Sequence, residues 1–516
     1  MELLTQPANA LFEIVRYSHH FTVEPLSQGP KRILEEFCRG LIKFKLVPSR
    51  GVLNRVPDVV FAAADKQRTR NRLHINQLGE FLRHVADCGI RQDQIRAYRA
   101  TMYTPDVVEW ELQPGLSDRE YQTGFIEYGA QPLPVSKLIV LQTGKGKSYI
   151  GLKIAQALGT RILLLIKAGY VDKWVIDFMK TMRVDKSDIY VIKGAASIKK
   201  AFVLRRDGQF NFKAVICTME TLRSWVAVYE HMGKEATADL GFECAPYEFY
   251  EHFGIGFKLI DEVHLNFHFG FKSDLYTHVP NSLALTATFT DKDPFVRLMY
   301  ERMFPAVDRC KQIAYDRYAM VSSLHFQFEK PELIKHNRYG NPMFSYAAVE
   351  DSIRKWPKVL SNYLDMLVWD LSCGYIKCPR PKKRALVFAQ TEAMIVLMVA
   401  RLKKTWPHLD IRKYMSADPF ENVLEADICV STLGSAGTAI DIPDLTHCYL
   451  TVSVESEKAN EQAVGRLRKL PDGVMPEFSY WVIANNHVSV RYHQAKMKLL
   501  EGKALHQKFY QYPKVV

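Results

Sequence analysis

The feature that most restricts the fold is a series of short apolar runs set between stretches of helical periodicity. KLIVLQ (137–142), RILLLIK (161–167), KAVICT (213–218), FKLIDE (257–262) and SLALTAT (282–288) are compact apolar runs rather than alternating ones. A strand with one wet face alternates polar and apolar residues, whereas a strand covered on both faces does not. Compact runs separated by helices therefore predict a parallel sheet between two helical layers. A less regular region at about 295–380 follows and ends in the basic run PRPKKR (379–384). The rhythm then returns in RALVFAQ (384–390), ADICVST (426–432), THCYLTVS (446–453) and FSYWVIAN (478–485), which predicts a second sheet of the same kind.

The first hundred residues break this rhythm and carry 16 Lys/Arg against 10 Asp/Glu, a surplus of six positive charges. They predict a small basic N-terminal α+β domain. The string QPGLSDRE (113–120) reads as a loop entering a helix, with Ser117 as N-cap and Glu120 three residues later. The expected organisation is an accessory domain (1–112), an α/β domain (113–300), a connecting region (301–380) and a second α/β domain (381–516). The tail from 487 reads as a basic helix until Pro513.

Charge narrows the partner. The chain has 69 Lys/Arg and 56 Asp/Glu, a formal +13, which fits either a solvated basic surface or a polyanion partner. Lys66, Arg68, Arg70 and Arg72 recur at every second position. On an extended segment they would share one face and follow a phosphate backbone; on a loop they would only be solvated. No window of 18 residues is continuously apolar, and the N-terminus lacks the pattern of a secretory leader, so no membrane partner is expected. Nine scattered cysteines, with only Cys373 and Cys378 close together, suit free thiols in a reducing compartment rather than a zinc site.

Three segments carry chemistry. In KLIVLQTGKGKSYIGLKIA (137–155) a strand-like run ends in a glycine-containing turn, and helical periodicity begins at Lys147. Gly144 and Gly146 permit a tight loop whose N–H groups face an anion; Lys147 would reach β and γ phosphates and Ser148 would bind magnesium. The P-loop pattern lacks its first glycine, since position 141 is Leu. In FKLIDEVHL (257–265) a strand delivers two carboxylates at its C-terminal end, Asp261 for magnesium and Glu262 for the attacking water. In EQAVGRLRK (461–469), Gln462 and Arg466 stand four apart, on one face of a helix, with Arg468 and Lys469 close by. Such arginines suit an arginine finger, or simply a basic surface helix.

Together these motifs resemble the superfamily 2 DExH-box helicases, in the family's order, across about 117–490. TGKGKS resembles motif I, DEVH (261–264) motif II, TAT (286–288) motif III, STLGSAGTAIDIP (431–443) motif V and QAVGRLR (462–468) motif VI. DREYQ (118–122) is similar to the Gln motif, IKAGYVDKW (166–174) to motif Ia, VICTMETL (215–222) to the following nucleic-acid-contacting segment and VFAQT (387–391) to motif IV. The layout further resembles phage UvsW-type recombination and branch-migration DNA helicases: a small N-terminal domain, a compact core and a short basic C-terminal extension.

The resemblance implies two tandem RecA-like (P-loop NTPase) parallel-sheet domains, with ATP and Mg2+ as cofactors. It implies catalytic roles for Lys147, Asp261, Glu262, Gln462, Arg466 and Arg468. Nucleotide contacts would come from Gln122, at the adenine edge, and from Thr143, Gly144, Lys145, Gly146, Lys147, Ser148, Gly437 and Asp441. Ser148 and Asp261 would hold the metal. Lys167, Thr218, Thr221 and Thr432 would bind nucleic-acid phosphates, and His264, Thr286 and Thr288 would couple the two activities. Motif Ia has Lys167–Ala168 in place of its usual Pro-Thr. Motif VI has Arg468 one position early and Lys469 in the usual place, so the finger lies among Arg466, Arg468 and Lys469. Motif V is stretched by one residue before Asp441. The implied function is an ATP-dependent DNA helicase or translocase that unwinds or remodels forked and branched DNA in replication, recombination or repair. The partner would be single-stranded, forked or branched DNA, in the cytoplasm (the host's, for a phage-encoded chain). The alternatives are a DExH-type RNA helicase and a nucleic-acid-binding protein with a non-motor ATP switch.

Overall fold

Ile162, Leu163, Leu164, Leu165 and Ile166 are all fully buried in a computed structural model of the chain, as an unbroken apolar strand requires. The structure describes every residue except 6, 8, 50, 51, 68, 288, 290–292, 312–316, 338–342, 416, 417, 437–441 and 471. It divides into two compact units, 1–141 with 146–312 and 142–145 with 313–516.

In the first unit that strand, Arg161–Ile166, is the third from one edge of a seven-stranded sheet. In order across the sheet the strands are Ile189–Ile192, Ala214–Thr218, Arg161–Ile166, Ile255–Ile260, Asn281–Thr286, Ser136–Val140 and Arg309–Lys311, all parallel. The second unit holds another seven-stranded parallel sheet, ordered Ile411–Tyr414, Ile428–Thr432, Arg384–Ala389, Leu445–Leu450, Glu477–Ile483, Ala319–Phe326 and Ala504–Gln511. With each sheet's strands numbered in chain order, both wind 3-4-2-5-6-1-7. The same topology built twice is the tandem RecA-like plan.

The N-terminal domain is a mixed six-stranded sheet, ordered Glu2–Thr5, Ile95–Arg99, Phe12–Arg16, His20–Pro25, Asn71–His74 and Ala63–Ala64, with helices Gln28–Arg39 and Leu78–Asp87. A separate hairpin pairs Ile42–Ser49 with Val52–Val60. The apolar core of this domain is continuous with that of the first parallel-sheet domain; Phe61 meets Phe271 edge-on at 5.0 Å between ring centres. No helix among the described residues is long and apolar enough to cross a membrane. All nine cysteines are unpaired.

Three details differ from the expectations. The first helix of the α/β domain is Glu120–Ala130, entered at Arg119 rather than Ser117, because the Gln122 side chain accepts the Arg119 backbone N–H at 3.0 Å. The segment 301–380 is shared between the sheets: it adds Arg309–Lys311 to the first and Ala319–Phe326 to the second, and helices Tyr346–Lys355 and Pro357–Leu371 also fall within it. The tail is helical only over His487–Glu501; Ala504–Gln511 pairs along one side with Ala319–Phe326 as an edge strand and leaves most of its side chains exposed.

The strand carrying Asp261 contains a bulge. Arg161 faces Ile255 but Ile162 faces Phe257, so Gly256 is the extra residue. A one-residue slip would exchange the faces of the side chains beyond it. A Cβ on Gly256 would stand 2.5 Å from Thr160 Cβ and 2.9 Å from Pro105 Cβ. Gly256→Ala is expected to cost about 1–3 kcal/mol by overpacking, seen as a lower urea midpoint with an unchanged slope. A parental midpoint would mean the bulge has room to spare.

Candidate active site

Strands Ser136–Val140, Asn281–Thr286 and Ile255–Ile260 are neighbours and parallel, so their C-terminal ends open side by side, where open α/β sheets bind ligands. The first of them leads through residues 141–146 into helix Lys147–Leu158. Gly144 and Gly146 hold φ of +84° and +79°, a left-handed backbone that glycine adopts without penalty. Gly146 also makes room: a Cβ there would lie 2.6 Å from Gln122 Nε2. The buried Gln122 amide is thus brought against the loop, and the loop's glycines precede a helix N-terminus suited to an anion.

The charged groups converge closely. Lys147 Nζ lies 3.1 Å from Glu262 Oε1 and 3.4 Å from the Leu141 carbonyl oxygen. Trp174 Nε1 donates to Asp261 Oδ2 at 2.8 Å, and Lys173 Nζ donates to Ser148 Oγ at 3.0 Å. His264 Nδ1 sits 2.7 Å from Thr286 Oγ1 and 3.2 Å from Glu262 Oε2. Glu262 itself has φ of 48°, a left-handed conformation for a residue with a Cβ, of the kind that stores about 1–3 kcal/mol of strain at functional sites.

Electrostatics split the two carboxylates. Burial and the neighbouring Glu262 push Asp261 above the usual carboxylate range, against the pull of Lys173, Lys147 and the Trp174 hydrogen bond. Burial would push Glu262 up as well, but Lys147, His264 and Lys173 outweigh it and hold its pKa at about 2. Glu262 is therefore the one that keeps its charge. The donor set suits magnesium: the Ser148 hydroxyl and the Asp261 carboxylate are hard oxygen ligands. Glu262 Oε2 is buried and, among the described residues, accepts no hydrogen bond although His264 Nδ1 stands 3.2 Å away, so it keeps lone pairs for a water.

The structure thus brings Gln122, Gly146, Lys147, Ser148, Asp261, Glu262, His264 and Thr286 into one place. Thr288, Gly437 and Asp441 lie outside the described residues. Lys167 is exposed just past strand Arg161–Ile166. Thr218 and Thr221 meet, but inward: both are buried, with their hydroxyls 2.7 Å apart and Thr221 Oγ1 accepting from Gly194 N. In the second unit Thr432 Oγ1 accepts from Ser435 N at 3.1 Å, at the end of its strand. Gln462 and Arg466 do not share a helix, which spans Glu457–Val464 and is capped by Gly465. Arg466 is buried, its Nε donating back to the Gln462 carbonyl at 3.1 Å, while Arg468 is half-buried and Lys469 exposed.

Among the described residues, Lys66, Arg70 and Arg72 do not line up as one basic stripe. Arg70 donates to Glu24, and Arg72 contacts His20 Nε2 at 2.9 Å and stacks on Tyr247 and Tyr276; Lys66 reaches the Met232 carbonyl. Arg68 lies outside the described residues. Among the described residues of 65–74, the strand covers Asn71–His74, and Asp65 accepts the Thr69 and Arg70 N–H groups ahead of it. Lys173 and Trp174 are the residues that sequence reasoning missed. Their signal was present as an adjacent Lys–Trp pair early in the helix after Lys167, but nothing local shows that this turn faces the P-loop helix.

No family model matches the sequence, and neither does any curated protein. Among solved structures, the crystal structure of T4 UvsW matches over 97% of this chain and 99% of that one, with 14% identity and a TM-score of 0.34. A Dbp5 variant from S. cerevisiae, bound to RNA and ADP BeF3, matches over 76% of this chain and 89% of that one, with 11% identity and a TM-score of 0.49. The order of the motifs along the sequence is the feature by which the chain resembles superfamily 2 helicases.

Lys147→Met should cost about 2 kcal/mol near neutral pH, as one buried charged hydrogen bond lost. The folded pKa of Glu262 lies below its ordinary 4.5, so the pair's contribution is full above that value and fades as the pH falls toward the folded pKa. The gap in melting temperature between parent and Lys147→Met should therefore shrink from about pH 6 to about pH 3.5. A gap independent of pH would mean that Lys147 does not hold the Glu262 charge.

Proposed function

We propose that this chain is an ATP-hydrolysing motor of the superfamily 2 kind that unwinds or remodels forked and branched DNA in replication, recombination or repair. The observation that carries the reading is the Lys147–Glu262 ion pair at the sheet's C-terminal edge, with Ser148 and Asp261 beside it. Lys147 neutralises developing phosphate charge, and Ser148 and Asp261 would hold Mg2+. The metal supplies charge neutralisation and orientation at the phosphates. Glu262, kept ionised, orients the attacking water and takes up its proton as the oxygen commits to phosphorus. Gln122 reads the adenine. His264 ties the Glu262 carboxylate to Thr286, at the end of the neighbouring strand, and so carries the state of the site into that strand.

DNA rather than RNA rests on the resemblance alone, with the N-terminal domain as the part that senses DNA form and the cytoplasm as the place of action. Glu262→Gln should retain ATP binding and lose hydrolysis by a factor of about 10³ or more, since the water is no longer oriented. ATPase rates measured side by side with single-stranded DNA, forked DNA, a four-way junction and RNA decide the substrate. Strongest stimulation by RNA would replace the DNA reading, and no stimulation by any of them would leave a non-motor ATP switch.

Arg468 serves as the finger in this reading: Arg466 is buried and its Nε is engaged by the Gln462 carbonyl. Arg468→Ala should lower kcat by about 10³ with ATP affinity nearly intact, and Lys469→Ala should be mild, since lysine lacks the planar fork. The reverse ranking would move the role to Lys469.

A further inference from the structure

Helix Val171–Thr181 follows the strand Arg161–Ile166 and presents two consecutive side chains to the site. Trp174 takes one Asp261 oxygen, and Lys173 takes Ser148. The Lys173 ammonium is 3.0 Å from Ser148 Oγ and also 3.0 Å from Asp177 Oδ2, one turn along its own helix. Its charge acts on both Asp261 and Glu262. A serine hydroxyl offers two lone pairs, and the ammonium engages one of them on the atom through which Ser148 would hold magnesium.

Two adjacent carboxylates beside the Ser148 hydroxyl need positive charge, and the Lys147 ion pair meets that need at Glu262 but not at Asp261. Lys173 answers that need from within the chain. We propose that Lys173 is a cation placeholder: in the nucleotide-free protein its ammonium takes the magnesium position, and on arrival of the metal–nucleotide complex it withdraws onto Asp177. The inference rests on the ATP–magnesium reading above. Lys173 and Asp177 are each about one-quarter exposed, 22% and 26%, so the side chain has room to swing. It acts through Ser148 and the carboxylates, as a positioning residue.

The consequence is competition. A unit charge a few ångströms from a divalent ion changes its affinity by about tenfold even with near-aqueous screening. The test is a magnesium titration of the full chain in the presence of a fluorescent ADP analogue, reading the metal concentration at half-saturation. Lys173→Met should lower that concentration about tenfold relative to the parent and lower the melting temperature of the nucleotide-free chain. Lys173→Gln, which keeps length and hydrogen bonding, should shift half-saturation in the same direction. Asp177→Asn, which removes the withdrawal site, should raise it several-fold. Unchanged half-saturation in both Lys173 variants overturns the placeholder, and a raised value would make Lys173 a helper of metal binding instead. A folded parent that binds no magnesium–nucleotide at all overturns the nucleotide reading and the placeholder with it, a result distinct from a parent that binds and variants that match it.

Discussion

Two adjacent carboxylates placed at the shielded end of a strand set the terms for the rest of the first parallel-sheet domain. Asp261 is buried and Glu262 nearly so, and like charges side by side away from water repel strongly. The compensation arrives from three separate elements: Lys147 from the P-loop helix, Lys173 and Trp174 from the next helix, and His264 from the turn after the carboxylates. Sheet order determines which of these can reach. Strand Asn281–Thr286 lies between the P-loop strand and the Asp261 strand, so those two are separated by about 10 Å. A long, flexible cation can span that gap, and Lys147 does so to meet Glu262. The intervening strand delivers Thr286 to His264, whose Nδ1 also lies 3.2 Å from Glu262, so hydroxyl, ring and carboxylate stand in one row.

The N-terminal domain is bound to this arrangement by buried polarity as well as by a shared apolar core. Lys258, at the centre of the Asp261 strand, pairs with Asp274 at 2.6 Å and donates to Ser273 and Thr277, all in the interior. His74 of the N-terminal sheet stands 3.5 Å from the second Asp274 oxygen. Arg72 lies over the rings of Tyr247 and Tyr276. Groups this desolvated tolerate little displacement, because breaking one contact leaves a buried charge unpaired. The N-terminal domain is therefore built as part of the first unit rather than hung from it. Several of its basic residues act in this junction and in local ion pairs instead of facing a partner. Net charge counts residues; it does not say which of them are already engaged.

The sequence by itself determined the elements whose causes are local. Unbroken apolar runs dictated strands buried on both faces, glycines at 144 and 146 permitted a tight loop, and the strand-then-DE pattern at 257–262 dictated carboxylates at a strand's C-terminal end. Each of these follows from steric and hydrophobic preferences that operate within about ten residues. Tertiary structure decided the rest. It turned Thr218 and Thr221 inward onto each other, ended the motif VI helix at Val464, drew Ala504–Gln511 into an edge strand and divided 301–380 between two sheets. It also brought Lys173 to Ser148 and Trp174 to Asp261, across 25 and 87 residues of chain. The physical reason is that a side chain's partner is chosen by packing and register. A single residue at the Gly256 bulge, or one strand exchanged in the winding order, would re-aim the same side chains without altering any local pattern.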